Sequence, residues 1–474
     1  MKPRRAVAAL LCLSFSACAV GPNYQRPAVP APPQFYGALP PQDARSLADL
    51  PWWSLFDDPV LNGLVDEALR HGFDARLAAA RVEEARALYG VARGAYYPQV
   101  GATAGVVHER ADQFSNPEGT ARTKWTAEVG FQWELDLWGR VRRLNESARA
   151  EYLASEEARR GVLLTLLADV ASAYFALREL DEELEIARRT QSAFQDTYDL
   201  FDRQLRGGTA SALETTRAEA LLGLVSAQIP EIEREIVQRE NQINLLLGRP
   251  PQPIERGPEA TPLPPDVPAG LPSALLERRP DVRQAEQLLV SANAQVGVAK
   301  AAFFPTLSLT GLFGNVSPEL GQLFSQGKTW SIGGNLFGGL FTGGSRRRQY
   351  EAAQARWEQA RVRYEQAVVQ SLAETSNALV SRSKLAEVQV QRERAVRAYR
   401  EAVRLADLRY RSGLSAYFEV LEAQQQLYPT ELNLAATRRD RLIAVVDLYR
   451  SLGGGWAPVP PGAAPTFPRP VSMP

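Results

Sequence analysis

The side chains that most often perform chemistry are few in this sequence, and those present are widely spaced. The 474 residues include two His and two Cys, and His71 and Cys12 lie far in sequence from His108 and Cys18. This spacing does not supply the closely spaced ligands of a zinc or copper site, so we expect no metal. Lone histidines of this kind are more often structural or solvated than ligands.

Catalytic motifs are absent from the sequence as well. It contains no nucleophile elbow and no His-centred acid–base pair, and the glycine-rich stretch 333–344 lacks the Lys-Ser/Thr ending of a phosphate loop. We therefore expect neither an enzyme nor a bound cofactor. One pair of carboxylates is spaced for a joint role: Glu419 and Glu422 stand at i and i+3, so both can lie on one helix face. Ordinary solvated surface acids would give the same pattern.

The charge balance argues against nucleic acid as a partner. Lys and Arg total 54 and Asp and Glu total 54, and no basic tract is longer than a few residues. Binding to a phosphate backbone requires clustered positive charge.

The first 17 residues have the pattern of a signal peptide. Three basic residues among the first five precede an apolar run from Ala6 to Phe15, which is too short to cross a bilayer. The run ends in Phe15-Ser16-Ala17-Cys18, which resembles a bacterial lipobox although Phe15 replaces the usual aliphatic residue. Cys18 would then carry a covalent lipid, and the alternative is a chance Cys in an ordinary secretory signal. No other uninterrupted apolar stretch reaches 18 residues, so we expect any membrane crossing to use strands.

The chain contains an internal two-fold repeat. Asp74 to Pro98 matches Asp281 to Pro305 at an offset of 207 residues, and Gly208 and Gly248 match Gly413 and Gly453 at an offset of 205. We assign residues 61–248 to repeat 1 and residues 273–455 to repeat 2, and we expect the copies to be stable only when packed together. Proline-rich segments flank and join them: a lipidated belt at 18–60, a linker at 249–272 and a tail at 456–474.

Each repeat is predicted to contain a helix, two strands and a long helical hairpin. Apolar residues spaced by three and four from Leu163 to Leu205 indicate a coiled-coil seam on a helix of about residues 145–205. The glycines in the segments Arg206-Gly207-Gly208-Thr209 and Arg411-Ser412-Gly413 predict the hairpin turns. Alternating polarity predicts strands at about 99–110, 123–135, 305–315 and 329–338.

The strands are interpreted as membrane-spanning. From Trp125 to Leu135 the odd positions are apolar and the even positions are polar or Gly, and Trp125 and Trp133 are separated by about 26 Å of strand. With Trp330 they would form an aromatic girdle at the apolar band of an outer-membrane barrel. A soluble two-layer sheet explains the alternation alone equally well. Four strands cannot enclose a lumen, because even small barrels need about eight, so oligomerisation must supply the rest.

Several motifs resemble those of a known family. They are Cys18-Ala-Val-Gly-Pro-Asn-Tyr-Gln-Arg-Pro27, Trp52-Trp53-x-x-Phe56-x-Asp58-Pro59, Glu134-Leu-Asp-Leu-Trp-Gly-Arg140, Arg279-Pro280-Asp281 with Ala285-Glu286, and Tyr410-x-x-Gly413 followed by Val420-Leu421-Glu422-Ala423-Gln424. Together they resemble TolC-like outer-membrane efflux proteins (outer membrane factors), and in particular the NodT-like lipoprotein branch that serves RND-type pumps. The resemblance covers essentially the whole chain.

The resemblance implies an α+β membrane protein that is a homotrimer. Each protomer would give four strands to one 12-stranded outer-membrane barrel, and its long hairpins would form a periplasmic α-barrel. The implied role is the exit channel of a tripartite efflux system for drugs and toxic compounds. Its partners would be a periplasmic adaptor (membrane fusion) protein, an inner-membrane RND-type transporter and outer-membrane lipid. An exit duct for type I protein secretion and a periplasmic coiled-coil adaptor or scaffold lipoprotein are the alternatives.

The resemblance also assigns candidate site residues. Glu419, Glu422 and Tyr410 match the periplasmic gate, although some relatives place an Arg where this chain has Ser415. Glu214 is the repeat counterpart of Glu419, but Arg217 replaces the counterpart of Glu422, so we expect the acidic ring from the second hairpin alone. The hairpin tips that meet the adaptor would be Gly207, Gly208, Thr209, Gly413, Leu414 and Ser415. Arginines follow the second and fourth strands, and we interpret them as interfacial anchors rather than plain solvated helix starts: Arg140, Arg142, Arg143, Arg346, Arg347 and Arg348.

Overall fold

The computed structural model describes residues 19–30, 32–36, 46–110, 121–209, 211–258, 272–325 and 327–454. Repeat 1 contains α1, α2, β1, β2, α3 and α4, at Pro59–His71, Phe73–Gly94, Gln99–Glu109, Arg122–Leu135, Arg140–Arg206 and Ala212–Leu247. Repeat 2 contains α5, α6, β3, β4, α7 and α8, at Leu275–Arg278, Pro280–Ala301, Thr306–Ser317, Lys328–Phe337, Ser345–Arg411 and Phe418–Ser451. Short 3-10 turns occur at Leu47–Asp49, Trp52–Ser54, Pro272–Ala274 and Leu320–Gln322.

The chain divides into two compact units, and both repeats contribute to each. The first unit comprises residues 1–28, 81–156 and 284–366 and contains the strands. The second comprises residues 29–80, 157–283 and 367–474 and contains the two hairpin turns. The 67-residue helices α3 and α7 contribute residues to both units.

The four strands form one antiparallel sheet in the order β1-β2-β3-β4. Gln99 of β1 pairs with Gln132 of β2, which pairs with Thr310 of β3. Thr306 of β3 pairs with Phe337 of β4. The strands expected from alternating polarity begin and end within two residues of these bounds.

This register gives the sheet one continuous apolar face. Even positions of β1 and β4 align with odd positions of β2 and β3, as in the pairs Val100↔Phe131, Val129↔Phe313 and Phe313↔Trp330. The large apolar side chains on this face are exposed or half-buried, and Trp330 and Ile332 reach 72% and 75% exposure. In a water-soluble two-layer sheet an apolar face packs against the core. Its exposure in the described residues therefore favours the membrane interpretation.

From the sequence we expected that a membrane crossing would use strands and not helices. One helix, α3, is nevertheless long and apolar enough to span a bilayer. An 18-residue window of α3 qualifies by length and composition, with a mean hydropathy of 1.5. However, 61% of that window is buried inside the protein. Tyr174 and Leu177 of α3 are completely buried in the core of the second unit. The helix is apolar because it fills a protein core.

A buried carboxylate organises that core. Asp58 is completely buried, and its Oδ1 accepts hydrogen bonds from the backbone N–H groups of Val60 and Leu61, both at 3.0 Å, which caps α1. The Tyr174 hydroxyl donates to Asp58 Oδ2 at 2.9 Å and accepts from the Gly257 backbone N–H at 2.8 Å. A Cβ at Gly257 would lie 2.4 Å from the Asp58 carboxylate, so only glycine fits there. The Asp58-Pro59 motif therefore joins α1, α3 and the inter-repeat segment.

We expect Asp58→Ala to destabilise the protein by about 2 to 4 kcal/mol, because it removes the helix cap and leaves the buried Tyr174 hydroxyl without its acceptor. The measurement is the shift of the urea midpoint of the detergent-purified protein. Asp66→Ala on the same helix is the control: its pair with Arg70 is about half exposed, and its loss should cost less than about 1 kcal/mol. Equal shifts for the two variants would contradict the assignment.

A second carboxyl group in this unit is poised to titrate near neutral pH. Burial and the neighbouring carboxylates Glu179, Glu235 and Glu182 raise the pKa of Glu183 to about 7, and Arg439 opposes them. Arg439 is already hydrogen-bonded to the buried Glu179, and Glu182 pairs with Arg438 at 2.6 Å. The cations in this cluster are thus committed to other carboxylates.

We expect the stability of the protein to fall as the pH rises from 5 to 8. The folded state holds a proton on Glu183 that the unfolded chain, with a carboxyl pKa near 4.5, releases, so the stabilisation is lost progressively as the pH rises from about 4.5 to about 7, and the slope levels off above that. Apparent thermal midpoints across this pH range measure the slope. Glu183→Gln keeps a neutral group at this position and should flatten the slope; an unchanged slope would rule out Glu183 as its origin.

Candidate functional site

The two hairpin turns are built alike at their glycines. Gly208 and Gly413 have φ values of +73° and +72°, the left-handed region that side-chain-bearing residues rarely adopt. The backbone N–H groups of Thr209 and Leu414 donate to the Gln204 and Arg409 carbonyls, both at 2.9 Å. Gly207, Gly208, Thr209, Gly413 and Leu414 are exposed, whereas Ser415 is half-buried and its hydroxyl oxygen has no hydrogen-bond partner among the described residues.

The helices that follow the two turns begin differently. Ser211 and Glu214 form a capping box at the start of α4, in which each side chain bonds the other's backbone N–H. At the 205-residue offset, Ala416 replaces Ser211, and among the described residues no side chain caps the start of α8, whose N-cap is Tyr417. The carboxylate of Glu419, the counterpart of Glu214, instead lies 3.3 Å from the Arg409 guanidinium across the turn. This difference between the repeats takes the Glu419 carboxylate out of a capping box and pairs it with Arg409 instead.

The acidic pair of α8 lies on the surface. Glu419 and Glu422 are both exposed, one turn apart on the helix. Arg217, which stands at the Glu422 position in the first hairpin, places its guanidinium 5.7 Å from the Phe418 ring centroid. The first hairpin therefore contributes a cation where the second contributes a carboxylate.

An aromatic cluster joins the two hairpins next to this pair. Tyr417 meets Tyr410 and Phe201 edge-to-face, with ring centroids 4.8 and 5.0 Å apart. Its hydroxyl lies 2.7 Å from the Thr197 hydroxyl, and Gln204 donates to the Tyr410 hydroxyl at 3.3 Å. Burial raises the pKa of the Tyr417 phenol, which keeps it protonated.

The sequence analysis named Tyr410 as a gate residue but did not name its neighbours Tyr417 and Thr197. Phe201 belongs to the coiled-coil seam of α3. Its position in that seam could have indicated that an apolar or aromatic side chain of the other hairpin, here Tyr417, packs against it. Arg409 was also missed, because its contact with Glu419 depends on the turn geometry.

Five of the six arginines after the strands are exposed or half-buried. Arg140 forms a bidentate pair with Glu134 at 2.8 and 2.6 Å, and Arg142 pairs with Asp136 at 3.2 Å. Arg346 donates to the Gly339 carbonyl, while the largely exposed Arg347 and Arg348 share Glu351.

Arg143 does not fit the interfacial interpretation. Its side chain is 5% exposed and pairs with Glu146 at 2.7 Å. It also donates to Asn23 Oδ1 at 2.7 Å and to the Gly21 carbonyl at 3.4 Å. Arg143 is therefore a buried attachment point for the N-terminal segment. Cys18 itself lies outside the described residues.

The three tryptophans that were expected to form an aromatic girdle all lie on strands of the sheet. Trp125 and Trp133 are partly exposed on β2, and the Trp133 indole N–H donates to the Tyr96 carbonyl at 3.0 Å. Trp330 on β4 is largely exposed and shares their apolar face.

The chain combines an antiparallel β-sheet that has an apolar outer face with a long helical hairpin in each repeat. This combination is the fold of an outer-membrane channel. The sequence profile of the outer membrane efflux protein family matches residues 64–249 and 271–454, and this chain belongs to that family. The two matched segments start 207 residues apart and end 205 apart, the offsets of the internal repeat. The resemblance drawn from the sequence motifs is confirmed.

Individual relatives agree. The chain is 35% identical over 470 residues to the outer membrane protein OprJ of Pseudomonas aeruginosa, covering 96% of this chain and 97% of OprJ. It is 32% identical over 445 residues to SilC of Salmonella typhimurium, described as a probable outer membrane lipoprotein, covering 92% and 95%. The open-state structure of the MtrE outer membrane channel of Neisseria gonorrhoeae superposes with a TM-score of 0.83 at 33% identity, covering 92% of this chain and 98% of MtrE.

We expect Tyr417→Phe to loosen the contact between the hairpin ends. It removes the hydrogen bond to Thr197 and keeps the ring contacts, a loss of about 1 kcal/mol, or about fivefold in the open-to-closed ratio. Single-channel recording in planar bilayers measures this ratio. Thr197→Val should have the same effect, and the double variant should show no further change; additive effects would show that the two hydroxyls act independently.

Proposed function

We propose that this protein is the outer-membrane exit channel of a tripartite efflux system. It would conduct small molecules such as drugs and toxic compounds from the periplasm to the exterior without making or breaking a bond. Membership of the outer membrane efflux protein family and the similarity to a solved outer membrane channel support this role. The observation that carries it is the exposed apolar face of the sheet, which requires lipid around it.

The channel would be a homotrimer. Only four strands are available from one chain, and an open sheet edge in lipid leaves backbone N–H and C=O groups unpaired, each at a cost of several kcal/mol. Three copies sharing one barrel of 12 strands would remove every edge. The long hairpins would extend into the periplasm and meet an adaptor protein at the hairpin tips, and the adaptor would connect them to an inner-membrane RND-type transporter.

The chain would also be held in the outer membrane by a lipid on Cys18. The lipobox-like sequence supports this, as does the description of SilC as a lipoprotein. The buried contacts of Arg143 with Gly21 and Asn23 would fix the chain a few residues after that lipid. No cofactor is part of the proposal.

The gate would be the acidic end of the second hairpin. In a trimer, Glu419 and Glu422 would present six carboxylates at the periplasmic entrance, and such a ring favours cations over anions. The start of α8 supports this, because Ala416 stands where the first repeat has Ser211 and Glu419 therefore takes part in no capping box.

We expect the double variant Glu419→Ala/Glu422→Ala to reduce the cation-to-anion permeability ratio by at least about twofold, because the ring would lose its negative charge. Reversal potentials under a salt gradient in planar bilayers measure the ratio. Glu214→Ala is the matched control: it removes the equivalent carboxylate of the first hairpin and should leave the ratio unchanged. An unchanged ratio in the double variant would refute the gate, and a folded protein that forms no pore would refute the channel.

A further inference from the structure

The second face of the sheet is polar and carries little charge. It consists of the odd positions of β1 and β4 and the even positions of β2 and β3, as the pairs Gln99↔Gln132 and Thr310↔Gly333 show. Most of its residues are Thr, Ser, Asn, Gln or Gly. Since the opposite, apolar face would contact lipid, this face would line the water-filled interior of the proposed barrel.

The charged side chains on this face are few among the described strand residues, and most of them are balanced. Glu109 of β1 stands directly opposite Arg122 of β2. Glu134, at the other end of β2, is held in a bidentate ion pair by the arginine that begins α3. Glu128 and Lys124 of β2 remain, and neither makes a hydrogen bond or an ion pair within the described part of the chain.

Glu128 lies in the middle of β2, in a patch without other charges. The four residues that flank it on this face are uncharged: Thr103 and Gly314 on the adjacent strands, and Thr126 and Gly130 along β2. A Cβ at Gly314 would lie 2.7 Å from the Glu128 Cγ, so the stem of the glutamate lies across this glycine. On β2 the nearest cation of the same face is Lys124, about 13 Å along the strand.

We infer that Glu128 is a charge-selectivity residue of the barrel, separate from the acidic pair at the hairpin end. The inference rests on the proposed function, because it needs the polar face to line a pore. Three copies would place three carboxylates in one band around the lumen, and such a ring attracts cations and repels anions. Lys124, farther from α3 on the same strand, would oppose it with a band of positive charge.

The size of the barrel determines when these charges matter. Twelve strands spaced about 4.8 Å apart and tilted by about 45 to 50° form a ring with a backbone radius of roughly 13 to 14 Å, and a glutamate that reaches about 5 Å inward places its carboxylate about 9 Å from the axis. The Debye length is about 30 Å at 10 mM salt and about 3 Å at 1 M. Glu128 should therefore govern selectivity at low ionic strength and lose its influence at high ionic strength.

A cysteine placed between the two charges measures the local potential. Thr126 lies two residues from Glu128 and two from Lys124 on the same face, so Thr126→Cys reports on both. Methanethiosulfonate reagents of similar size and opposite charge are applied to outer membranes that contain the full-length protein, and the initial labelling rates are compared. At about 10 mM salt, Glu128→Gln should lower the cation-to-anion rate ratio at least about threefold, and Lys124→Gln should raise it by a similar factor. At about 1 M salt both shifts should fall below about 1.3-fold.

Val129→Cys is the matched control for the face of the sheet. Val129 follows Glu128 directly and is 51% exposed in the described sheet, whereas Glu128 is half-buried, but Val129 lies on the apolar face. Lipid should shield it from both charged reagents, so it should be labelled at least about tenfold more slowly than Thr126→Cys. The chain without an added cysteine, which has only Cys12 and Cys18, gives the background.

Reversal potentials in planar bilayers measure the consequence for conduction. The Glu419→Ala/Glu422→Ala background is used, so that the gate carboxylates do not mask the barrel. In this background, Glu128→Gln should lower the cation-to-anion permeability ratio at least about 1.5-fold near 10 mM salt. Because Glu128 has no bonding partner among the described residues, the glutamine should leave the fold unchanged.

Each outcome has a distinct meaning. Opposite shifts of the labelling ratio in Glu128→Gln and Lys124→Gln would support the inference. Pores whose labelling and permeability ratios are both unchanged by Glu128→Gln would refute it and leave the channel in place. Faster labelling of Val129→Cys than of Thr126→Cys would refute it as well, because the polar face would then not line the lumen. A well-folded protein that forms no pore in any variant would refute the proposed function together with the inference.

Discussion

The need to pair every backbone N–H and C=O group in lipid is the constraint on which the rest of this structure depends. Four strands expose an apolar face that water does not tolerate, and two open edges that lipid does not tolerate. Neither problem can be solved within one chain. The duplicated sequence supplies the solution. The two strands of one repeat pair with the two strands of the next, so further copies of the chain can extend the sheet in the same way until it closes into a ring.

Duplication followed by divergence also explains how two equivalent hairpins come to differ in structure at their ends. The two hairpins turn at equivalent glycines, with nearly equal backbone angles. Their helices then diverge at one small residue: Ser211 binds Glu214 into a cap, whereas Ala416 leaves Glu419 to face Arg409. The cost is the lost cap of α8, which the aromatic contacts of Tyr417 with Phe201 and Tyr410 help to offset. The second hairpin thus begins its returning helix with aromatic contacts where the first uses a capping box.

Much of this fold was predictable because its signals are periodic. The strands were found from two-residue alternation and the hairpins from seams and glycines. The contacts that could not be predicted join residues distant in sequence: Asp58 with Tyr174, Arg143 with Asn23, and Tyr417 with Thr197. A single Arg after a strand looks the same whether it reaches lipid headgroups or a buried carbonyl. The apolar window of α3 was likewise ambiguous, since core burial and membrane insertion select the same side chains.

The pairing of the strands has a consequence for the width of the pore. Gln99 of β1 lies directly across β2 from Thr310 of β3, because both pair with Gln132. The repeat counterpart of Gln99 is Thr306, so successive repeats are displaced along the strand direction by four residues. Four residues rise about 13 Å along a strand while two strand spacings cover about 10 Å, which tilts the strands by roughly 50 to 55°. Common barrels tilt by about 35 to 45°, and circumference grows with tilt. A ring built from this repeat would therefore be about a fifth to a third wider than an ordinary barrel of the same strand number tilted by about 40°.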